Sequence, residues 1–124
     1  MQDLINCSIV IPCYNSQNSI KLLVEEIFKL NLKKYKILEI ICVDDFSDDN
    51  TSQILEELKK IHKDLIVINN SKNEGQVKAT LNGIIVAKGD YIVTLDDDFQ
   101  HPTSQIFKLL EACYEQNLDF TLGV

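Results

Sequence analysis

Three consecutive carboxylates, Asp96, Asp97 and Asp98, directly follow the apolar segment 91–95. Neighbouring carboxylates repel one another by roughly 1 kcal/mol per close pair in water, and by more when they are partly buried. A bound cation would offset this repulsion, and Mg2+ and Mn2+ prefer carboxylate oxygens, which they combine with the phosphates of a substrate. The triplet therefore predicts a site for Mg2+ or Mn2+.

Two further polar groups follow apolar segments in the same way. The sequence Pro-Cys-Tyr-Asn at 12–15 follows the segment 7–11, and Asp44 and Asp45 follow the segment 37–43. In open parallel sheets, ligands bind at the carboxyl ends of the strands. We therefore expect Asp45 to face a ligand and to accept hydrogen bonds from it.

The sequence Asn-Glu-Gly-Gln at 73–76 precedes a helical pattern and contains Gly75. Two interpretations remain open: a turn that caps the helix, or a glycine that lets the helix N-terminus approach a ligand. Lys78, one turn later, either reaches a phosphate or is solvated. The sequence contains no G-x-G-x-x-G or Walker A pattern, which argues against a dinucleotide-dependent dehydrogenase and a P-loop enzyme.

Five apolar segments predict strands, and stripes of apolar residues at helical spacing lie between them. The segments are 7–11, 37–43, 65–68, 91–95 and 120–124. The stripes, which we expect to face the core, are Ile20, Leu23, Val24, Ile27 and Leu30; Ile54, Leu55, Leu58 and Ile61; Val77, Leu81, Ile84 and Ile85; and Ile106, Leu109, Leu110 and Cys113. This alternation with short connections implies an α/β fold with a parallel sheet and helices on both faces.

The order of the strands decides whether the polar groups meet. In the order 3-2-1-4, the direction of strand addition reverses between strands one and four, and ligands bind preferentially at such a point. This order would place Tyr14 beside Asp96 and Asp98. The fifth strand has no element after it, and an uncovered edge favours association, so a homodimer through this edge is one way of covering it.

The bulk composition is typical of one domain over residues 1–124 that does not bind nucleic acid. The chain has 124 residues and a formal net charge of −7, whereas nucleic-acid binding needs a basic surface. The N-terminus lacks a signal-peptide pattern, no apolar run approaches the roughly 20 residues that span a bilayer, and the four cysteines form no C-x-x-C pair. We therefore expect a soluble, cytoplasmic chain with reduced, buried cysteines.

Four segments, taken together, resemble the family-2 glycosyltransferases: 8–15, 43–51, 73–76 and 89–102. They occur in order and span nearly the whole chain. The resemblance implies a Rossmann-like GT-A fold, cut after its fifth strand, that binds a nucleotide diphosphate-sugar donor through a DXD motif. The segment 96–102 is most similar to the branch that glycosylates polyprenyl or dolichyl phosphate.

The resemblance also implies roles for individual residues. Pro12 and Tyr14 would line the pocket of the base, and Val43 and Asp45 would contact the base and the ribose. Asp96 would contact the ribose or sugar, Asp98 would hold the metal that bridges the diphosphate, and Gln100 would support that metal. With the helix residues added, the predicted donor-binding set is Pro12, Tyr14, Asn15, Val43, Asp45, Gly75, Lys78, Asp96 and Asp97, and the metal set is Asp96, Asp98 and Gln100.

Two residues, Phe46 and Thr103, depart from the family pattern, and part of the family's machinery lies outside this chain. Thr103 replaces a frequent second proline. Phe46 stands where the family usually has glycine or another small residue, which questions the conformation of that turn. In the family, the acceptor site and any general base follow the segment that ends here at Val124. The acceptor would be a polyprenyl phosphate or a glycan, in cell-wall or polysaccharide synthesis. A phosphate acceptor is already anionic and needs no strong base.

Two functional interpretations follow. The chain is either the donor-binding part of a metal-dependent glycosyltransferase, whose parent would lie at the cytoplasmic face of a membrane, or a fragment that binds the donor without transferring sugar. A signalling receiver domain has a similar length and strand pattern. It needs acids after strands one and three, however, and here those strands are followed by Pro12-Cys13-Tyr14 and by Asn69-Asn70.

Overall fold

The structure, a computed structural model, describes residues 4–98, 102–116 and 120–122. The elements alternate along the chain as β1 (Ile5–Cys13), α1 (Ile20–Phe28), β2 (Tyr35–Asp44), α2 (Thr51–Ile61), β3 (Leu65–Asn69), α3 (Gln76–Val86), β4 (Tyr91–Thr94), α4 (Pro102–Gln116) and β5 (Phe120–Leu122). All strand pairs are parallel, and the order in the sheet is β3-β2-β1-β4-β5. The predicted fold class and the predicted strand order are therefore confirmed.

Successive residues of the central strands point to opposite faces of the sheet, and both faces are apolar. One face packs against α1, α2 and α4 in a large core, to which these helices contribute Ile20, Leu23, Val24, Ile27, Leu55, Leu58, Ile106 and Leu110. The other face, which includes Val10, Ile41 and Val43, packs against α3. Because both faces are covered, the central strands are nearly continuous runs of apolar residues.

The helix α3 packs through its smallest side chains, which corrects the predicted stripe. Ala79 and Gly83 are its buried residues, whereas Val77, Leu81 and Ile85 are 76%, 52% and 79% exposed. A Cβ atom at position 83 would lie 2.5 Å from Val10 Cγ1, so glycine allows the helix to approach the sheet closely. The apolar periodicity of α3 thus predicted a helix correctly, but of the predicted stripe only Ile84 packs against the core, where it is partly buried.

Ile61 is a second correction to the predicted core. It is the last residue of α2 and is 70% exposed, although Leu55 and Leu58 of the same stripe are buried. The helix ends at this residue, so the last position of the stripe turns away from the sheet. The other two stripes lie on the core side of α1 and α4.

A buried polar network joins the end of α3 to the sheet. Glu39, the single charged residue within the second predicted strand, is 5% exposed and pairs in register with Ser8. Its Oε2 atom accepts hydrogen bonds from Ser8 Oγ and from the Lys88 N–H, each at 2.6 Å. Ser8 Oγ in turn accepts one from the Gly89 N–H at 2.9 Å. These bonds hold the connection between α3 and β4 against β1 and β2.

Several expectations about the surface and the cysteines can be compared with the structure. All four cysteines lie within the described residues, all are buried, and none forms a disulfide. Among the described residues, no helix combines the length and the apolar character that a bilayer crossing requires. β5 pairs with β4, which places it at one edge of the sheet, but the homodimer through that edge stays a prediction.

Candidate functional site

Three loops meet in an open cleft of about 460 Å³ at the carboxyl end of the sheet. They follow β1, β2 and β4, and the segment before α3 completes the wall. The cleft is lined by Pro12, Cys13, Tyr14, Asp45, Asn73, Gly75, Gln76, Asp96, Asp97 and Asp98. The polar groups that follow separate strands therefore share one site, at the point between β1 and β4 where the strand order reverses.

The three carboxylates of the acidic triplet have different surroundings. Asp96 Oδ1 accepts a hydrogen bond from Gln76 Nε2 at 3.0 Å. Asp97 Oδ2 accepts one from the Tyr14 main-chain N–H at 3.1 Å, and the Asp97 carbonyl oxygen accepts one from Ser19 Oγ at 2.9 Å. Asp98 is exposed. Asp96 and Asp97 are thus bonded to neighbouring segments of the cleft wall, whereas Asp98 is exposed to solvent.

Burial raises the pKa of Asp97, and the charges of Asp98 and Asp96 raise it further. The hydrogen bond from the Tyr14 N–H acts in the opposite direction, but it does not outweigh burial. Burial is therefore the main reason for the raised pKa of Asp97, and repulsion from the adjacent carboxylates adds to it. A cation bound at the opening would offset this repulsion.

Asp45 is held almost entirely by the protein. Its side chain is buried, with 3% of its surface exposed. The Oδ1 atom accepts hydrogen bonds from Asn70 Nδ2 at 2.9 Å and from the Glu74 N–H at 2.8 Å. The Oδ2 atom accepts one from the Gly75 N–H at 2.9 Å. Burial alone would raise the pKa of Asp45, but the hydrogen bonds from Glu74, Asn70 and Gly75 together lower it. Asp45 therefore fixes the segment before α3 as an ionised carboxylate, and it also lines the cleft.

Gly75 combines the two interpretations that the sequence left open. Its φ of +94° is a conformation that residues with a side chain rarely adopt, so glycine is needed for the turn into α3. The same residue lines the cleft beside Gln76, the first residue of the helix. Because its N–H is bonded to Asp45, Gly75 brings backbone close to the cleft without offering that donor to a ligand.

The loops after β1 and β2 are joined by reciprocal hydrogen bonds. The Asn15 N–H donates to Ser47 Oγ at 2.9 Å, and Asn15 Oδ1 accepts from the Asp48 N–H at 3.0 Å. The Ser16 N–H donates to Thr51 Oγ1 at 2.8 Å. Asn15 has a φ of +50°, a left-handed conformation that asparagine tolerates better than most residues. Asn15 thus supports the loop that carries Tyr14.

Phe46, one of the two departures from the family pattern, adopts the conformation that glycine would favour. Its φ is +64° and its side chain is 58% exposed. A left-handed conformation costs a residue with a side chain roughly 1–2 kcal/mol. The turn at Phe46 is therefore left-handed, at an energetic cost that glycine would not incur.

Three residues of the predicted donor-binding set lie outside the lining of the cleft, and Gln100 lies outside the described residues. Val43 is fully buried beneath α3, with Cγ2 3.1 Å from the position of a Cβ at Gly83. Lys78 Nζ lies 3.7 Å from Glu74 Oε1 on the exposed side of α3, and Asn15 bonds to the neighbouring loop. A donor contact for these residues stays a prediction, which the burial of the Val43 side chain does not support.

Sequence reasoning did not single out Cys13, Asn73 and Gln76, which line the cleft. Their positions carried a usable signal, because each lies directly after a predicted strand or at the start of a predicted helix. Cys13 was assigned only to the core, where it is indeed buried. Gln76 was treated as part of a turn, although its side chain reaches Asp96.

The donor atoms at the cleft fit a hard divalent cation. Asp96 and Asp98 supply carboxylate oxygens beside the opening, and Mg2+ or Mn2+ usually combines one or two protein carboxylates with substrate phosphates and water. Within residues 4–98, 102–116 and 120–122, no group of three or more acidic, cysteine or histidine side chains is arranged to hold a metal ion. Two carboxylates on an open cleft agree with a cation that is completed by its substrate.

With the fold and the cleft described, comparison with known proteins identifies the family. The model of glycosyl transferase family 2 matches residues 8–124. The chain therefore belongs to glycosyl transferase family 2, which confirms the resemblance seen in its motifs.

Two sequence relatives act on lipid phosphates according to their names. The chain is 38% identical over 112 residues to the undecaprenyl-phosphate 4-deoxy-4-formamido-L-arabinose transferase of Pectobacterium atrosepticum. This match covers 90% of the chain and 34% of the relative. The chain is also 32% identical over 120 residues to the dolichol-phosphate mannosyltransferase of Saccharomyces cerevisiae, with coverage of 96% and 44%. The chain thus spans about a third of the length of the first and less than half of the second.

Solved structures share the fold. The structure of S. aureus TarS 1–349 in complex with UDP superimposes with a TM-score of 0.71 at 25% identity, over 91% of the chain and 33% of that fragment. The mannosyltransferase PcManGT from Pyrobaculum calidifontis, solved with GDP-Man and Mn2+, gives a TM-score of 0.75 at 20% identity, over 89% of the chain and 32% of that protein. These neighbours confirm the GT-A type of the sheet.

Proposed function

We propose that residues 1–124 form the donor-binding part of a glycosyltransferase that transfers a sugar from a nucleotide diphosphate-sugar to an acceptor with the help of Mg2+ or Mn2+. The observation that carries this proposal is the convergence of three strand ends on one cleft lined by Tyr14, Asp45 and the acidic triplet. Family membership and relatives that use nucleotide sugars support it.

The cleft offers separate regions for the parts of a donor. Pro12 and Tyr14 form an apolar and aromatic wall suited to a base, whereas Asp96 and Asp98 lie beside the region that a metal-bound diphosphate would occupy. Gln100, which follows in the sequence, would add an amide oxygen to the metal ligands. A bound Mg2+ or Mn2+ takes up negative charge on the departing nucleoside diphosphate.

The described residues prepare this cleft in advance of binding. The bonds from Asp45 to the segment before α3, and from Asp97 to the Tyr14 loop, hold its walls before any ligand arrives. In the transfer step, an acceptor oxygen would attack the anomeric carbon as the bond from that carbon to the diphosphate oxygen breaks. Fixed walls reduce the entropy that positioning the donor for this attack would cost.

We propose a polyprenyl phosphate as the acceptor, and thus a role in cell-wall or polysaccharide synthesis at the cytoplasmic face of a membrane. The support is the names of the relatives, several of which are undecaprenyl-phosphate transferases. A phosphate oxygen is already ionised and can attack without a general base, and the cleft's carboxylates are engaged in holding the loops or are placed for metal binding. A glycan acceptor would instead require a base from outside residues 1–124.

The test of the site measures binding of UDP and GDP to the intact protein by calorimetry, with Mn2+ and with a chelator in its place. We expect one of the two nucleotides to bind in a Mn2+-dependent manner, and we expect Asp98→Asn to weaken that binding at least tenfold because the neutral amide is a poor metal ligand. Asp64→Asn, an exposed aspartate at the opposite end of the sheet, is the matched control. Equal affinity of Asp98→Asn and the wild type would refute the metal assignment.

A second test concerns transfer. We propose that residues 1–124 by themselves bind donor but do not transfer sugar, because the chain spans only about a third of several related transferases. The fragment and the intact protein would be incubated with candidate nucleotide sugars, Mn2+ and polyprenyl phosphate. Equal transfer rates would show that the remaining part of the protein is dispensable for catalysis.

A further inference from the structure

The middle carboxylate of the acidic triplet differs from its neighbours in what it contacts. Asp97 bonds through its side chain to the Tyr14 N–H and through its carbonyl oxygen to Ser19 Oγ. Asp96 lies against Gln76 at the start of α3, and Asp98 is exposed. Both of these partners of Asp97, Tyr14 and Ser19, belong to the connection between β1 and α1.

The two contacts of Asp97 lie just beyond the point where the pairing of β1 with β4 ends. The last pair of the β1–β4 ladder is Val10 with Thr94, and the Leu95 N–H then donates to the Val10 carbonyl oxygen at 3.0 Å. Beyond that point, β1 continues beside β2 only, while the chain after β4 turns into the acidic triplet. Asp97 reconnects the two segments three residues past the end of β4, at the level of the cleft.

We propose that Asp97 is a positioning residue that fixes the Tyr14 loop against the loop carrying Asp96 and Asp98, and that it is not itself a ligand of the metal. This inference rests on the function proposed above, because it concerns the geometry of the donor cleft. Tyr14 would lie beside the base and Asp98 beside the diphosphate, so the brace at Asp97 sets the distance between the two ends of the donor site.

The two roles require different chemistry, which makes them separable. Accepting a hydrogen bond from a main-chain N–H requires only an oxygen atom, and asparagine supplies one in the same place. Binding Mg2+ or Mn2+ at a DXD motif favours the negative charge of a carboxylate, which asparagine lacks. A positioning residue is therefore rescued by asparagine after it fails as alanine, whereas a metal ligand is impaired by both.

The experiment compares Asp97→Ala, Asp97→Asn and Asp98→Asn in the intact protein, with UDP and GDP titrated at saturating Mn2+. We expect Asp97→Ala to weaken nucleotide affinity about tenfold, because the Tyr14 N–H loses its acceptor and Tyr14 is no longer fixed to the loop of the acidic triplet by a side chain. Asp97→Asn should restore most of that affinity. The Mn2+ concentration needed for half-maximal binding should be raised by Asp98→Asn and unchanged by either substitution of Asp97.

The chain offers a matched control at the other end of the same two strands. Asp90 Oδ2 accepts a hydrogen bond from the Asn6 N–H at 3.2 Å, just before β4 and far from the cleft. Asp90→Ala removes the same kind of contact between the same pair of strands. We expect it to leave nucleotide affinity unchanged. Amide hydrogen exchange in residues 14–19, measured without nucleotide, should accelerate in Asp97→Ala and not in Asp90→Ala.

Two outcomes would overturn the proposal. Loss of Mn2+-dependent binding in Asp97→Asn to the degree seen in Asp98→Asn would make Asp97 a metal ligand. Unchanged exchange of residues 14–19 in Asp97→Ala would show that it does not hold the loop. Failure of the wild type to bind either nucleotide would instead count against the proposed function, and the exchange measurement, which needs no nucleotide, would still decide the structural role of Asp97.

Discussion

The two faces of the sheet are held by different forces. On one face, α1, α2 and α4 bury large aliphatic side chains such as Leu55 in one continuous core. On the other face, α3 packs through Ala79, Gly83 and the partly buried Ile84 on a smaller cluster, and its other large apolar side chains are exposed. Burial of a leucine or isoleucine contributes about 1.5–3 kcal/mol, so the first face gains far more from the hydrophobic effect than the second.

Polar contacts at both ends of α3 compensate for its small apolar contact. Before its first turn, Asp45 accepts hydrogen bonds from two consecutive main-chain N–H groups, and after its last turn Glu39 accepts one from Lys88. Both carboxylates are buried. The comparison teaches that a helix that packs closely through small residues can be anchored at both ends by buried carboxylates, and one of these carboxylates, Asp45, also lines the cleft.

The largest expected difference comes from one substitution made on each face. Leu55→Ala, in α2, should lower the free energy of unfolding by about 3 kcal/mol, because it leaves a cavity in a fully packed core. Leu81→Ala, in α3, should change it by less than about 0.5 kcal/mol, because that side chain is 52% exposed. Urea denaturation measures both values. Similar losses in the two variants would contradict the comparison.

The next largest effect concerns the anchor at the end of α3. Glu39→Ala should cost about 2–3 kcal/mol, because Ser8 and the Lys88 N–H would lose a buried acceptor. Glu39→Gln retains an oxygen and should cost about half as much. Hydrogen exchange should rise in residues 84–90 and not in α2. A loss of protection spread evenly over both helices would show that Glu39 supports the whole sheet and not α3 alone.

Because α3 lies close to the sheet at Gly83, we expect Gly83→Ala to destabilise the protein, but by less than Leu55→Ala or Glu39→Ala. The added methyl group would lie 2.5 Å from Val10 Cγ1, so side chains must shift, at a cost of about 1–3 kcal/mol for overpacking. Alanine regains about 1 kcal/mol of helix propensity, which leaves a net loss near 1 kcal/mol. Gly89→Ala, whose Cβ would meet main-chain atoms of Cys7 and Ser8 at 2.8 and 2.7 Å, should be more damaging. A raised melting temperature for Gly83→Ala would contradict close packing.

The smallest expected effect is the pH dependence of the anchor at the start of α3. The pKa of Asp45 is lower in the folded protein than its ordinary value of about 3.9. Its contribution is therefore complete above that value and is lost as the pH falls through the folded-state pKa. We expect Asp45→Asn to cost about 1 kcal/mol at neutral pH, and this difference from the wild type to shrink on acidification. A difference that grew towards low pH would contradict the assignment.

The described architecture was largely predictable because it depends on local pattern and on general rules of connection. Apolar runs such as 37–43 and stripes such as that of α1 predicted every element, and the predicted order 3-2-1-4 is observed. The convergence of Tyr14, Asp45 and the acidic triplet followed from that order alone. Boundaries were less accurate: β1 begins at Ile5 rather than at residue 7, because its first residues pair with the start of β2.

What each polar residue contacts could not be predicted in the same way. Asp45 was expected to accept hydrogen bonds from a ligand, yet its oxygens bond to Asn70 and to two main-chain N–H groups. Glu39 was seen only as an interruption of an apolar strand, and it anchors the end of α3. These partners lie 25 to 49 residues away in the chain, so no local pattern contains them.

The sequence by itself determined the alternation of strands and helices, the parallel sheet and the edge at which its polar residues meet, because these features follow from periodicity and from the handedness of the connections. The tertiary structure decided which face of α3 is buried and which carboxylate of the triplet holds the Tyr14 loop. Periodicity shows where apolar residues recur along a helix. Which of them pack closely depends on whether their side chains fit the surface that they face in the folded protein. Three of the four residues in the apolar stripe of α3 are therefore exposed, while Gly83 lies against Val10 and Val43.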